Sequence, residues 1–275
     1  MKRYQVLTVA VKGALALCLA ALASPAFAVN LVTNGNFSTI AAGDTTSADY
    51  DVINQYLVSG TYGTGLPSWT VAGSNGNALV CLIDYSQNTS NTNLCGTQFG
   101  GGLSLWVMPG ASPVGGNYLM IDAAPAYNGA LQQTINGLNS GSNYTLTFYE
   151  ATGQQSGFQA PSGMTQQFSV SLGSQTINAP LLNTPNNGSD GWAQVSMTFT
   201  ANSSSELLSF VANGTPAGEP PMIMLDGVSL TQSLGQGSAP EPGTYAMVGM
   251  GLLTLGWGMR KRRAQVAPAK LPVTL

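Results

Sequence analysis

The stretch Tyr144-Thr145-Leu146-Thr147-Phe148-Tyr149 decides the fold, because apolar and polar side chains alternate along it. Tyr144, Leu146 and Phe148 share one face of an extended chain, and the threonines lie on the opposite face. Such a period of two is typical of a half-buried strand in an antiparallel sheet. The stretch therefore predicts a strand whose apolar face packs against a core.

Similar signals recur on both sides of this stretch. The segments 168–172 and 193–199 alternate in the same way, and the apolar run 222–225 predicts a strand covered on both faces. Further strands are predicted at 31–37, 79–83, 103–108, 118–122 and 130–135, with turns at 139–142, at 185–188 and at Asn213-Gly214. Many short strands and no amphipathic helix predict an all-β, antiparallel β-sandwich over residues 29–231.

Charge divides the chain into two ends and a body. All eight Lys and Arg residues lie before residue 13 or after residue 259, there is no His, and all eleven Asp and Glu residues lie between these limits. The body has no basic side chain to neutralise phosphates, which excludes binding to a nucleic acid backbone. It also has no Ser-His-Asp triad, no Cys-His pair and no Schiff-base lysine.

The N-terminal residues have the pattern of a secretory signal peptide. Three basic residues precede the apolar run 13–23, and Ala26 and Ala28 occupy the small-residue positions of an A-x-A cleavage site. We therefore predict a signal peptide over 1–28, recognised by the Sec machinery and removed by signal peptidase. The alternative, an uncleaved anchor, needs a span of about 20 apolar residues.

The C-terminal residues combine a linker, an apolar segment and a basic cluster. Residues 232–239 are rich in Gly and Ser, and 244–259 predict a single transmembrane helix of about 24 Å. The cluster Arg260-Lys261-Arg262-Arg263 is expected to stay cytoplasmic, with residues 264–275 as a cytoplasmic tail and the body outside. The helix predicts an inner-membrane intermediate.

Pro240-Glu241-Pro242, the apolar helix and the basic cluster, in this order, resemble the PEP-CTERM sorting signal of Gram-negative bacteria over 240–263. The resemblance implies processing by an exosortase near Pro-Glu-Pro, followed by release or transfer to the cell surface or extracellular matrix, in the company of exopolysaccharide. An ordinary C-terminal anchor that is never cut is the alternative.

Five short motifs of the body resemble galactose-binding-like and carbohydrate-binding jelly-roll modules. They are Asn34-Gly35-Asn36-Phe37, Leu66-Pro67-Ser68-Trp69-Thr70-Val71, Gly116 to Asp122, Leu131 through Gly141 to Phe148, and Met224-Leu225-Asp226-Gly227-Val228-Ser229-Leu230. The resemblance implies a jelly roll that binds glycans or serves as the body of a surface protein. It also implies a structural Ca²⁺ near Asp226 as the one cofactor to test, although Ser38 replaces the carboxylate of the opening motif.

Two cysteines, Cys81 and Cys95, remain after signal removal, and an even count in an exported chain predicts a disulfide. The bridge closes a loop of about fifteen residues, worth roughly 3 kcal/mol in the chain-entropy model. Two free thiols are the alternative.

Sugar binding requires aromatic rings for stacking and amides or carboxylates for the hydroxyl groups. Tyr62, Tyr85, Trp106 and Tyr127, with Phe158, are predicted in loops and are the candidate glycan contacts, whereas Trp69 and Trp192 are expected in the core. Convergence of Tyr85, Trp106 and Tyr127 on one surface would favour binding.

The preferred functional hypothesis is a non-enzymatic surface or matrix protein, sorted by its tail and associated with exopolysaccharide. A glycan-binding adhesin is the alternative. A carboxylate-based glycoside hydrolase is a remote alternative. Such an enzyme needs two paired carboxylates, and nothing in the sequence spacing pairs the available ones, which are Asp122, Glu150, Glu206 and Asp226.

Overall fold

The computed structural model describes residues 28–39, 66–72, 79–85, 103–127 and 129–233. They contain eleven strands and no helix: β1 (Thr70–Ala72), β2 (Val80–Asp84), β3 (Asn117–Asp122), β4 (Ala130–Asn136), β5 (Asn143–Gln154), β6 (Met164–Leu172), β7 (Gln175–Asn178), β8 (Leu182–Thr184), β9 (Ala193–Thr200), β10 (Ser205–Thr215) and β11 (Pro221–Gln232). The predicted all-β class is confirmed.

The strands form two antiparallel sheets that pack face to face. The five-stranded sheet has the order β2-β3-β11-β5-β9, and the six-stranded sheet has the order β1-β4-β10-β6-β7, with β8 paired to β6. Most neighbours in the sheets are distant in sequence, as in β4-β10 and β3-β11. Two antiparallel sheets packed face to face confirm the predicted sandwich architecture.

The core lies between the two sheets. In β6 every second residue is buried, as its alternating sequence predicts. Phe148, Phe168 and Phe210 form a T-shaped aromatic triad with ring centroids 5.2 to 6.1 Å apart, and Trp69 extends it at 6.4 Å from Phe210. Edge-to-face rings of this kind add stabilisation beyond their buried area. The prediction that Trp69 lies in the core is confirmed.

A second apolar cluster covers the outer face of the five-stranded sheet. It contains Leu79, Cys81, Ile83, Leu103, Leu105, Tyr118, Met120, Ala151, Met222 and Met224. Residues 222–225 are buried on both faces, as the apolar run in the sequence predicts. Within the described residues, no helix has the length and hydropathy to cross a membrane.

Two predicted strands are wrong. Residues 31–37 form a turn, with positive φ at Asn34 and Phe37, and only Asn30 makes an isolated bridge. Gly35 approaches β11 so closely that a Cβ atom there would lie 2.0 Å from the carbonyl oxygen of Val228. Residues 103–108 form no strand and have isolated bridges only at Leu103 and Leu105.

The predicted turn at Asn213-Gly214 is also wrong, because both residues belong to β10. This strand lies between β4 and β6 and was not predicted. By contrast, the turns at 139–142 and 185–188 are confirmed by backbone bonds from Ser142 to Asn139 and from Gly188 to Pro185, each 3.0 Å long.

Candidate functional site

The outer face of the six-stranded sheet carries a row of amide and hydroxyl side chains, which we call the amide face. It comprises Gln132 and Thr134 of β4, Ser209 and Asn213 of β10, and Gln167 and Ser169 of β6. These residues share a face because their inward-facing neighbours, such as Leu131, Phe168 and Phe210, fill the core. Register places Ser209 opposite Gln132, and Asn213 opposite Gln167.

Hydrogen bonds between strands orient the amide face. The Gln132 amide donates to Ser209 Oγ at 3.4 Å, and the Asn213 amide donates to Ser169 Oγ at 3.1 Å. The Ser169 hydroxyl in turn donates to Asn178 Oδ1 at 2.8 Å. Each amide and hydroxyl group keeps donor or acceptor capacity beyond these bonds. The face is thus a preorganised surface for hydrogen bonding.

A groove of about 470 Å³ lies at the β1–β4 edge of this sheet. It is lined by Thr33, Ser68, Trp69, Thr70, Gln132, Gln133, Thr134 and Asn136. The Gln133 amide fixes its floor, because it accepts from the Thr33 N–H and donates to the Thr33 carbonyl, both at 2.8 Å. The groove and the amide face share Gln132 and Thr134, so the two adjoin, and the apolar Leu207 and Val211 of β10 lie among the polar side chains of the same face.

The described strands of the six-stranded sheet contain a single charged residue, Glu206. This residue is only 8% exposed, and its Oε1 accepts the amides of Asn202 and Ser203 at 2.7 and 3.1 Å. No aromatic side chain lies among the six residues of the amide face. The face therefore offers neither an ionic partner nor a stacking ring.

Two of the predicted aromatic contacts, Tyr85 and Tyr127, lie on the opposite side of the sandwich. Tyr85 and Tyr127 both pack against the second apolar cluster, and both are half-buried. The Tyr85 ring lies 6.4 Å from the buried ring of Tyr118. These residues lie on one face, but they are not the exposed platform that the sequence predicts. Tyr62 lies outside the described residues.

Two other aromatic positions also differ from expectation. Trp106 is half-buried, and its indole N–H donates to the Phe158 carbonyl at 3.1 Å, while Phe158 itself is also half-buried. Trp192, which the sequence predicts in the core, is half-buried against the second apolar cluster and does not belong to the core cluster between the sheets. It packs on the outer cluster, with a T-shaped contact to Tyr118 at 5.1 Å and a 3.2 Å bond to the Gly110 carbonyl. Glycan contact through the predicted aromatics stays a prediction.

Asp226 is fully buried on the outer face of the five-stranded sheet. Its Oδ1 accepts the Gly227 amide at 2.7 Å, while Oδ2 has no hydrogen-bond partner in the described residues. Burial raises its pKa to about 6, against the lowering effect of bonds from Ser112 and Gly227. Ser38 of the opening motif is bonded instead to Asn36.

Calcium takes six to eight oxygen ligands, usually with several carboxylates. No group of three Asp, Glu, Cys or His residues comes together in the described part of the chain. Asp226 therefore supplies one carboxylate to a site that backbone and hydroxyl oxygens would have to complete. The residues do not form a carboxylate-rich calcium site, and calcium binding stays a prediction.

Two of the other candidate carboxylates, Asp122 and Glu150, are buried in the five-stranded sheet. Glu150 is 0% exposed and lies on the inner face of β5, where burial raises its pKa to about 7. Asp122 is 2% exposed on β3, and burial raises its pKa to about 6 against the lowering effect of its bond to the Ala124 amide. Neither is placed to contact a polymer on the surface of the sandwich.

Several predicted sites lie outside the described residues. They are Ala26 of the signal cleavage site, Cys95, Pro240-Glu241-Pro242, the apolar segment 244–259 and the basic cluster Arg260-Lys261-Arg262-Arg263. Ala28 lies at the start of the described chain, and Cys81 is buried in β2. The Cys81–Cys95 bridge, the signal peptide and the transmembrane helix stay predictions.

Two family models match the chain. The model of a carbohydrate binding domain matches residues 113–219, and the model of the PEP-CTERM protein-sorting motif matches residues 238–263. The first match contains β4, β6 and β10, the three strands that form the amide face. Residues 113–219 are therefore similar to a carbohydrate binding domain, and the PEP-CTERM motif at residues 238–263 supports an exported, cell-surface protein. Both resemblances predicted from the sequence are confirmed.

Solved structures with a similar course of the chain are distant in sequence. A CBM61 module in complex with β-1,4-galactotriose is 13% identical over 74% of this chain and 99% of that chain, with a TM-score of 0.38. A CBM4 structure is 17% identical over 74% and 99%, with a TM-score of 0.35. The enzymatically active domain of tailspike protein 4 from bacteriophage CBA120 is 10% identical, with a TM-score of 0.38. The match covers 74% of this chain and 22% of that chain. No curated protein matches.

Proposed function

We propose that this protein is a non-catalytic glycan-binding protein of the cell surface, which holds an uncharged polysaccharide on its amide face. The observation that carries the proposal is the position of the amide face within the segment matched by the carbohydrate-binding model. Amide and hydroxyl groups pair with sugar hydroxyls through neutral hydrogen bonds, and three adjacent strands present them in one plane.

The charge of the chain favours a neutral ligand. Ten of its eleven carboxylates lie before the sorting tail, and no Lys, Arg or His lies between residues 13 and 259. The acidic domain would repel an anionic polysaccharide and offers no cation to pair with its charges. A neutral polysaccharide is not repelled, so its binding free energy carries no such penalty. The proposed ligand class is therefore a glycan without uronate, sulfate or phosphate groups.

The buried positions of Asp122, Glu150 and Asp226 support the non-catalytic part of the proposal. A glycoside hydrolase places two carboxyl groups about 5 to 10 Å apart on either side of the scissile bond. Here these three side chains are at most 2% exposed, so a surface-bound sugar has no access to them.

The sorting tail supports a route to the surface. In the proposed route the Sec machinery exports the chain, signal peptidase cuts after Ala28, and an inner-membrane intermediate is held by 244–259 until an exosortase acts near Pro240-Glu241-Pro242. The mature domain then resides in an extracellular matrix of exopolysaccharide, where a face that binds neutral sugars contacts its ligand at high local concentration.

Replacing Gln132 with Ala is expected to weaken binding to a neutral polysaccharide about three- to tenfold. It removes one amide from the junction of the amide face and the groove, and a net hydrogen bond is worth about 0.5–1.5 kcal/mol. Affinity electrophoresis in gels containing soluble β-glucan, galactan or xylan measures the change.

The matched control is Gln194→Ala, which removes an exposed amide from β9 on the other sheet. Its mobility is expected to match that of the wild type. Equal retardation of wild type, Gln132→Ala and Gln194→Ala by a polysaccharide that binds the wild type would exclude the amide face as the binding site.

A further inference from the structure

Asparagine side chains deamidate most readily in Asn-Gly sequences, because glycine has no Cβ atom to obstruct ring closure by its own backbone nitrogen. Within the described ranges the chain contains four complete Asn-Gly pairs, which begin at Asn34, Asn136, Asn187 and Asn213. The two reacting residues are the same in each pair, so the folded structure decides which pair can react.

Two of the four pairs are restrained by hydrogen bonds of their own reacting groups. Asn34 Nδ2 donates to the Thr39 carbonyl and Asn34 Oδ1 accepts the Thr39 amide, both at 2.9 Å. The N–H of Gly188, which would have to attack Asn187, donates to the Pro185 carbonyl at 3.0 Å. Each of these reactions must first break a hydrogen bond.

The pair at Asn213 is restrained by strand pairing as well as by its side chain. Asn213 lies within β10, opposite Gln167 of β6. Its Nδ2 donates to Ser169 Oγ and to the Val211 carbonyl, each at 3.1 Å. Ring closure requires rotation of both the side chain and the backbone, and both rotations are opposed here.

The Asn136-Gly137 pair has none of these restraints. Asn136 is the last residue of β4, both residues are exposed, and Gly137 has a φ of 81° just beyond the strand. The Ser204 carbonyl accepts the Leu138 N–H at 3.1 Å, whereas the Gly137 N–H has no hydrogen-bond partner in the part of the chain that the structure describes. The attacking nitrogen is therefore unbonded and exposed to solvent.

A hydroxyl group is placed to assist the reaction at Asn136. Ser205, the first residue of β10, lies opposite Asn136, and its Oγ donates to Asn136 Oδ1 at 2.8 Å. Negative charge develops on this oxygen when a nucleophile adds to Cγ, and a donor already aimed at the oxygen stabilises the transition state. The Ser205 hydroxyl thus has the position of an oxyanion donor.

We propose that Asn136 is a site of spontaneous deamidation in the folded protein. The nitrogen of Gly137 bonds to Cγ of Asn136, the Cγ–Nδ2 bond breaks, and the proton of the glycine N–H leaves with Nδ2 as ammonia. A water molecule then opens the cyclic imide at either of its carbonyl groups. The product has an aspartyl or an isoaspartyl residue at this position.

The reaction changes the groove at the β1–β4 edge, which Asn136 lines. None of the eight residues that line this groove is charged, so deamidation adds a negative charge to a neutral surface. An isoaspartyl residue also lengthens the backbone at the end of β4. The inference does not rest on glycan binding, because the covalent change is measured without a ligand.

Peptide mapping of the exported protein after incubation at mildly alkaline pH tests the proposal. The body contains no Lys or Arg, so a protease that cleaves after aromatic residues produces the peptides, and mass spectrometry measures the amide-to-acid conversion at each pair. Asn136 is expected to convert about five- to tenfold faster than the other three, which must first break hydrogen bonds. In concentrated urea the four rates should become similar, because the restraints are lost.

Two variants test the role of the Ser205 hydroxyl. Ser205→Ala should slow conversion of Asn136 about three- to tenfold and leave the other three pairs unchanged, because it removes the donor to Oδ1. Ser205→Thr keeps a hydroxyl group and should convert at the wild-type rate.

Conversion of Asn136 no faster than that of the three restrained pairs would overturn the proposal. A lead of Asn136 that persists in urea would show that the fold does not set the selectivity. An unchanged rate in Ser205→Ala would contradict the role assigned to the hydroxyl.

Discussion

Replacing Glu150 with Gln is expected to raise the free energy of unfolding by about 3 kcal/mol at pH 8 and to leave it unchanged below pH 4. The native pKa of this carboxyl group is raised by burial from 4.5 to about 7. The folded state therefore binds the proton more tightly than the unfolded state does. Stability is full below the unfolded pKa of about 4.5 and is lost as pH rises through the folded pKa of about 7. Gln carries no charge at any pH and avoids this loss.

The surroundings of Glu150 explain the size of the effect. It lies on the inner face of β5, opposite Leu225 of β11 and Ala193 of β9. Neither carboxyl oxygen has a hydrogen-bond partner in the described residues. Its neighbour on the same face, Thr152, is well bonded, because its hydroxyl accepts the Asp190 amide at 3.0 Å. An ionised carboxylate without donors is among the most costly groups to bury.

Urea denaturation of the exported protein between pH 4 and pH 8 measures this effect. Glu206→Gln is the matched control, because Glu206 is also buried but its Oε1 accepts two backbone amides. That variant is expected to give no stabilisation at any pH. A difference between Glu150→Gln and wild type that is the same at pH 4 and pH 8 would contradict the account.

Replacing Pro240, Glu241 and Pro242 together with Ala is expected to abolish sorting. The protein should accumulate in the inner-membrane fraction with Arg260 to Arg263 still attached, because the apolar segment and its basic cluster hold it there when the motif is not recognised. Cell fractionation with intact mass measurement distinguishes this species from the wild type, which should end near Pro240.

The control replaces Gly235, Gln236 and Gly237 with Ala, which changes the linker just outside the matched motif, 238–263. This variant is expected to be sorted as the wild type is. If the Pro240–Pro242 variant leaves the membrane as efficiently as the linker variant, the proposed processing by an exosortase is wrong.

Periodicity in the sequence predicts the strands whose inner faces fill the core. Segments 144–149, 168–172 and 193–199 lie in β5, β6 and β9, because a regular period of two is a local property. The pattern fails for β10, where consecutive Leu207 and Leu208 obscure the alternation and Asn213-Gly214 mimics a turn. Sheet neighbours, not local propensity, hold these residues extended.

The opening motif, Asn34 to Phe37, shows a second limit of prediction from local sequence patterns. Residues 31–37 carry the residue types of a strand end, yet their conformation is set by contact with β11, through Leu31 N–H to Leu230 O at 2.9 Å and Val228 N–H to Gly35 O at 2.9 Å. These partners are about 200 residues away in sequence, so no local signal predicts them.

The candidate site is harder to predict than the fold. Gln132 and Gln167 are visible in the sequence as polar positions between core residues, but every solvated strand has such positions. They form one surface only because β10 lies between β4 and β6. The aromatic residues attract attention as sugar contacts, but Tyr85 and Tyr127 prove to be half-buried against the second apolar cluster, because large rings also fill the gaps under loops.

Affinity electrophoresis of the wild-type protein in parallel gels with a neutral polysaccharide and with a uronate-containing one of similar chain length tests the central claim most directly. At low salt, where charge effects are strongest, we expect retardation by the neutral polymer and none by the acidic one. Retardation by the acidic polymer, or migration unaffected by a panel of neutral glucans, galactans and xylans, would contradict the assignment of the amide face as a site for uncharged glycans.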